Sequence, residues 1–137
     1  MERYSSMTCG LLLLAAFVAP IVGIAYCLYK KSLQKWWIFA LITGFSGFEG
    51  MRHGMIGIAY DDISDPNYGT YGGWTLTDFI VSDIRHLLVW AVIAFICYLG
   101  FEKRKKLPLV IGHIICGFSS VATIFILVMM LLEIIAW

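Results

Sequence analysis

Two stretches of this chain carry no charged residue at all, Tyr4 to Tyr29 and Leu107 to Leu132, and each exceeds the ~20 residues that one crossing of a bilayer needs. Two further apolar segments, at 36–60 and 79–101, have similar length but are interrupted by charge. Hydrocarbon holds no water to satisfy backbone N–H and C=O groups, so apolar runs this long cross only as helices. The sequence therefore predicts an all-α membrane protein with four transmembrane helices, at about 7–29, 36–60, 79–101 and 108–135, forming one up-down bundle over residues 1–137. Composition agrees: 61% of residues are hydrophobic, 14% are charged and the mean hydropathy is +0.85, whereas soluble domains have roughly 45–50% apolar and about 25% charged residues. A soluble fold is excluded, and the alternating decads of a membrane β-barrel are absent. A net charge of +1 gives no chain-wide basic field, which argues against nucleic acid as a partner.

The loop charges orient the bundle. Lys30, Lys31 and Lys35 make the first loop basic, and Lys103, Arg104, Lys105 and Lys106 outweigh Glu102 in the third. The middle loop holds Asp61, Asp62 and Asp65, with Asp78 after it, and no Lys or Arg. The positive-inside rule then places both basic loops in the cytoplasm and both termini on the outer side. Such a chain belongs in a bacterial plasma membrane or an energy-transducing organelle membrane. Pro20 predicts a kink in the first helix, while Pro108 suits a first turn, where its missing N–H costs little. The segment 61–77, with Pro66-Asn67-Tyr68-Gly69 and Gly72-Gly73, reads as turns, and Thr75 with Asp78 as a cap for the third helix. Cys9, Cys27, Cys97 and Cys116 have no metal-knuckle spacing and read as small packing residues, with Cys27 and Cys97 at similar depth.

Chemistry concentrates in the middle two helices. Glu49, Arg52 and His53 lie in one, and Asp83, Arg85 and His86 in the other. Each Arg or Asp at a bilayer centre costs about 2.5–3.5 kcal/mol even on insertion scales, so such groups mark functional candidates. Measured from Tyr60 and Phe79, both imidazoles lie about 10 Å in, at ~1.5 Å per residue, and an antiparallel hairpin sets them at one level. At about 100° per residue, Ser46, Glu49, His53 and Tyr60 share one stripe, while Gly47, Gly50, Gly54 and Gly57 share the next. The glycine stripe is the expected docking face for other membrane subunits.

Several uses of the polar residues follow. Pairing Glu49 with Arg85 and Asp83 with Arg52 gives a purely structural set of intramembrane salt bridges. His53 and His86 suit axial ligation of a b-type haem or a quinone site, with Arg52 and Arg85 beside propionates or carbonyls. Ile84-Arg85-His86-Leu87 is similar to the Arg-His step in the cytochrome b anchor of succinate dehydrogenase, a resemblance of four residues that implies His86 as a haem ligand. Glu49, His53, Asp83 and His86 alternatively offer two oxygens and two nitrogens to copper or iron, and Glu49, His53 and His86 could relay protons or bind a solute. His113, near the basic end, stands apart from this set, and Glu133 suits a snorkelling position.

No nucleophile elbow, zinc-protease helix, phosphate loop or dinucleotide fingerprint occurs, so a self-sufficient enzyme is disfavoured. The expected function is that of a small integral subunit or anchor in a larger membrane assembly, redox or respiratory in kind. Its outer-half site would hold b-haem or quinone, with a copper or iron membrane enzyme subunit and a purely structural subunit as the alternatives.

Overall fold

The computed structural model describes residues 2–61 and 76–136, with side-chain surroundings for 6–55 and 77–136. Four helices follow in order: α1 (Glu2–Lys30), α2 (Trp36–Asp61), α3 (Leu76–Phe101) and α4 (Lys106–Ala136). The turn signals of the middle loop, the Thr75 cap, Tyr60 as a side chain and the surroundings of Gly57 lie outside the described residues. Pro20 sits inside a continuous α1, and Pro108 falls in the first turn of α4. Helix limits reach a few residues past the expected spans, because hydropathy marks the apolar stretch while backbone hydrogen bonds continue beyond it.

Three helices, α1 (from Ser6), α3 (from Thr77) and α4, are long and apolar enough to cross a membrane. The chain is thus an all-helical membrane protein in contact with lipid. α2 has the length, but Glu49, Arg52 and His53 break its apolar run.

Close approaches fix the packing. α2 lies against α1 in antiparallel sense, since Gly23 meets Phe39, Gly50 meets Leu13 and Gly54 meets Cys9. It runs alongside α4 in parallel, since Gly44 meets Ser119 and Gly47 meets Thr123. α3 and α4 are antiparallel, with Gly100 on Leu109 and Gly112 on Phe101. α2 thus has α1 on one side and α4 on another, and touches α3 least. This overturns the expectation for the glycine stripe: Gly47, Gly50 and Gly54 face this chain's own helices and are not free for another subunit. Small residues let backbones approach closely, and packing inside the chain has used that property.

Between the bundle's ends the contacts of α2 with α1 and α4 are made largely by small or polar residues. Ala16, Ala19, Ala40, Thr43, Ser46, Ser119 and Thr123 are buried, while Leu, Ile, Val and Phe side chains cover the outside of α1, α3 and α4. That inversion of the soluble pattern suits a solvent as apolar as the side chains themselves. A tighter core of Trp37, Ala40, Leu41, Cys97, Phe101 and Cys116 closes the basic end. Cys97 lies 3.9 Å from Cys116 of α4, sulfur to sulfur, with both thiols buried.

Candidate functional site

Helical register gathers one face of α2. Glu49 stands three residues before Arg52 and four before His53, spacings that place all three on adjoining parts of the helix surface. Ser82, Asp83 and His86 approach from α3. The Arg52 guanidinium bridges the two carboxylates: its Nη2 donates to Glu49 Oε2 at 2.9 Å and pairs with Asp83 Oδ1. Arg52 Nη1 reaches Ser82 Oγ at 3.5 Å. Each carboxylate also meets an imidazole, with His53 Nε2 at 3.1 Å from Asp83 Oδ1 and His86 Nδ1 at 3.3 Å from Glu49 Oε1. An ionised carboxylate only accepts, so the hydrogen bond to Asp83 places a proton on Nε2 of His53.

Exposure changes across the cluster. The His53 side chain is 1% exposed and that of Glu49 is 5%, whereas that of His86 is 46% exposed. Glu49 is thus a buried carboxylate in contact with the half-exposed His86 ring and the partly exposed Arg52 guanidinium. Counted over the described residues with both rings neutral, two carboxylates face one guanidinium, one unit of negative charge in excess. One proton on either imidazole balances it.

The structure brings Glu49, Arg52, His53, Asp83 and His86 together, and leaves Arg85 out. Among the described residues Arg85 forms no ion pair and its side chain is exposed. The expected Glu49–Arg85 pair therefore does not form, for a reason of register: Arg85 follows Asp83 by about 200° around the helix, so only one of the two can face α2. Arg52, one turn from Glu49 on the same helix, takes that place. Ser82 joins the cluster unforeseen, and its position beside Asp83 was the available signal.

Donor atoms of Glu49, His53 and Asp83 all lie within 4.8 Å of one another, a grouping compatible with a metal ion. The guanidinium already bridging both carboxylates opposes a second cation there. His113 stays separate: its ring stacks on Trp36 at 5.9 Å and meets the Phe101 ring edge-on at 4.7 Å. Trp36 precedes Glu49 by about 20 Å of helix at ~1.5 Å per residue. Glu133 is exposed. Compared with known proteins, the chain matches no family model, no curated protein and no solved structure, so the functional argument rests on this geometry alone.

Proposed function

We propose that the chain is a small multi-pass subunit of a membrane redox assembly, and that its α2–α3 cluster exchanges one proton with a lipid-soluble, hydrogen-bond-accepting carrier of the quinone class. α2 serves as the fourth span in this reading, because it runs beside α1 from Cys9 to Gly23 and beside α4 at Ser119 and Thr123. The loop charges set the basic ends of the helices in the cytoplasm and both termini outside. The observation that carries the proposal is the half-exposed His86 ring in contact with the buried Glu49 carboxylate. With an added proton on His86, its Nε2–H donates to the carrier oxygen, and Glu49 and Asp83 hold compensating charge while the proton moves. Electrons come from the redox subunits of the assembly.

A metal reading is favoured by one specific feature, the convergence of Glu49, His53 and Asp83, and would suit copper or iron. A b-haem between His53 and His86 fits less well, because the enclosed His53 ring leaves no open face for a porphyrin.

The test uses the protein in nanodiscs. Titration with a short-tail benzoquinone should give saturable quenching of tryptophan fluorescence, weakened about tenfold by His86→Ala, the size of one lost hydrogen bond of ~1.4 kcal/mol. Arg85→Ala should leave it unchanged. Quenching that ignores His86 rejects the quinone site. Stoichiometric copper or iron that disappears in Asp83→Asn establishes the metal reading instead, and a Soret band lost in His53→Ala establishes haem.

A further inference from the structure

α1 and α4 both pack on α2 and scarcely touch each other, which leaves a furrow with α2 as its floor. Towards the basic end it widens into an open cleft of about 880 Å³, walled by Pro20, Gly23, Ile24, Phe39, Thr43 and Ile124. That volume lies in the range of small-molecule sites, about 300–1,000 Å³. A second cavity of about 370 Å³ shares Pro20 and Ile124 and continues to Ile134. From His113 to Ile134 the furrow follows α4 for about 32 Å at ~1.5 Å per residue, the thickness of a bilayer's hydrocarbon, ~30 Å.

The rim at the basic end differs from the walls. Lys31, Ser32 and His113 line it. Lys31 adopts a left-handed backbone, φ 53°, and ends α1 with paired bonds from its own N–H to Leu28 O at 3.3 Å and from Ser32 N–H to Cys27 O at 3.1 Å. This terminating turn is the Schellman arrangement, and it fixes Lys31 at the cleft mouth. The neighbouring Lys35 is engaged by Glu102, while among the described residues Lys31 has no acidic partner. His113 is held from two sides by Trp36 and Phe101.

We infer that this cleft binds one anionic phospholipid per chain, with an acyl chain along the apolar walls and the phosphate at Lys31, Ser32 and His113. An apolar trough with the Lys31 ammonium and hydrogen-bonding side chains of Ser32 and His113 at one end matches a molecule that has one tail direction and one anionic head. Basic pockets between membrane helices recognise anionic headgroups in this way. A partner helix would fill the walls but leave the Lys31 ammonium without an anion.

The experiment measures lipid retained by the full chain after transfer from nanodiscs of equal phosphatidylglycerol and phosphatidylcholine into mild detergent, by intact mass measurement and lipid extraction. One phosphatidylglycerol per chain is expected, enriched at least about tenfold over phosphatidylcholine, on the scale of one charge-assisted contact. Lys31→Glu should abolish the enrichment while leaving tail occupancy, and Ser120→Phe, which fills the cleft from α4, should expel both lipids. Helical circular dichroism checks that each variant is folded. The wild-type selectivity stands as a test without either variant. Equal retention of the two lipids overturns headgroup recognition. A lipid-free chain that purifies as a dimer, crosslinked across Ile24 and Ile124, overturns the lipid site and assigns the furrow to a second copy.

Discussion

α2 is joined to its neighbours in two different ways. Towards α1 and α4 the contact is backbone against side chain, made by Gly23, Gly44, Gly47 and Gly50, where an added Cβ would fall within 3.0 Å of an atom already present. Towards α3 the helices stand further apart, and Arg52, Glu49, Asp83, His53 and His86 span the gap. The first kind of contact fixes geometry but offers no chemistry. The second leaves room for charge, and a network of ionisable groups links α2 to α3. Removing one of its charges therefore affects function and stability together, whereas a change at a glycine contact acts through shape alone.

The largest effect is expected at Arg52. Arg52→Leu leaves Glu49 and Asp83 without their shared cation, and breaking an enclosed pair in this way costs about 3–5 kcal/mol. Unfolding in mixed micelles measures it. Adding Asp83→Asn should restore part of the loss, with a coupling of about 1–3 kcal/mol in the double-mutant cycle. Additive effects would mean that α2 and α3 are held together by packing alone.

Next in size is Gly100→Ala. Its Cβ would lie 2.6 Å from the Leu109 backbone and 2.6 Å from the carbonyl carbon of Pro108, atoms that cannot rotate aside, so α3 and α4 must separate. Overpacking of this kind costs about 1–3 kcal/mol. Gly117→Ala is the control, because nothing lies within 4 Å of its added Cβ. Helix propensity alone should make that variant more stable, by up to about 1 kcal/mol. Equal destabilisation by the two changes would refute the close approach at Gly100.

Arg85→Ala separates the residues that span the gap from those that share only their sequence neighbourhood. An exposed side chain with no ion pair among the described residues should change stability by less than about 0.5 kcal/mol. A loss comparable to that of Arg52→Leu would return Arg85 to the cluster.

These contrasts show what could be read from the residues alone. The helices were legible because charge-free runs such as 4–29 leave no other way to satisfy the backbone. Glu49, His53, Asp83 and His86 were legible too, since spacings of three and four residues share a helix face whatever the neighbours do. Which arginine completes the set depends on the rotation of α3, and the expected Glu49–Arg85 pair ignored the 200° between Asp83 and Arg85. The glycine stripe was recognised as a close-packing face, but composition does not say whether the backbone that approaches belongs to the same chain. The same limit applies to the thiols: depth says nothing of which thiol lies beside Cys97, whereas the sideways order of helices puts Cys116 there.

The smallest effect belongs to the one ion pair between the two basic connections, Lys35 with Glu102, among the described residues. The hydrogen bond from the Lys35 ammonium, helped by the nearby charge of Lys35 and by Arg104, holds the Glu102 carboxyl below its ordinary range. A carboxyl depressed in the folded state stabilises the fold above the ordinary carboxylate pKa of about 4.3, and this contribution fades as pH falls through the lowered folded value. Lys35→Met should therefore lower the unfolding midpoint slightly at neutral pH, and the difference from wild type should close on acidification below about pH 4. Because Lys35 is exposed, about 1 M salt, with its Debye length of ~3 Å, should shrink the same difference at neutral pH. Persistence of the full difference in acid would show that Lys35 acts through its aliphatic stem against the loop, making that connection one more contact held by shape.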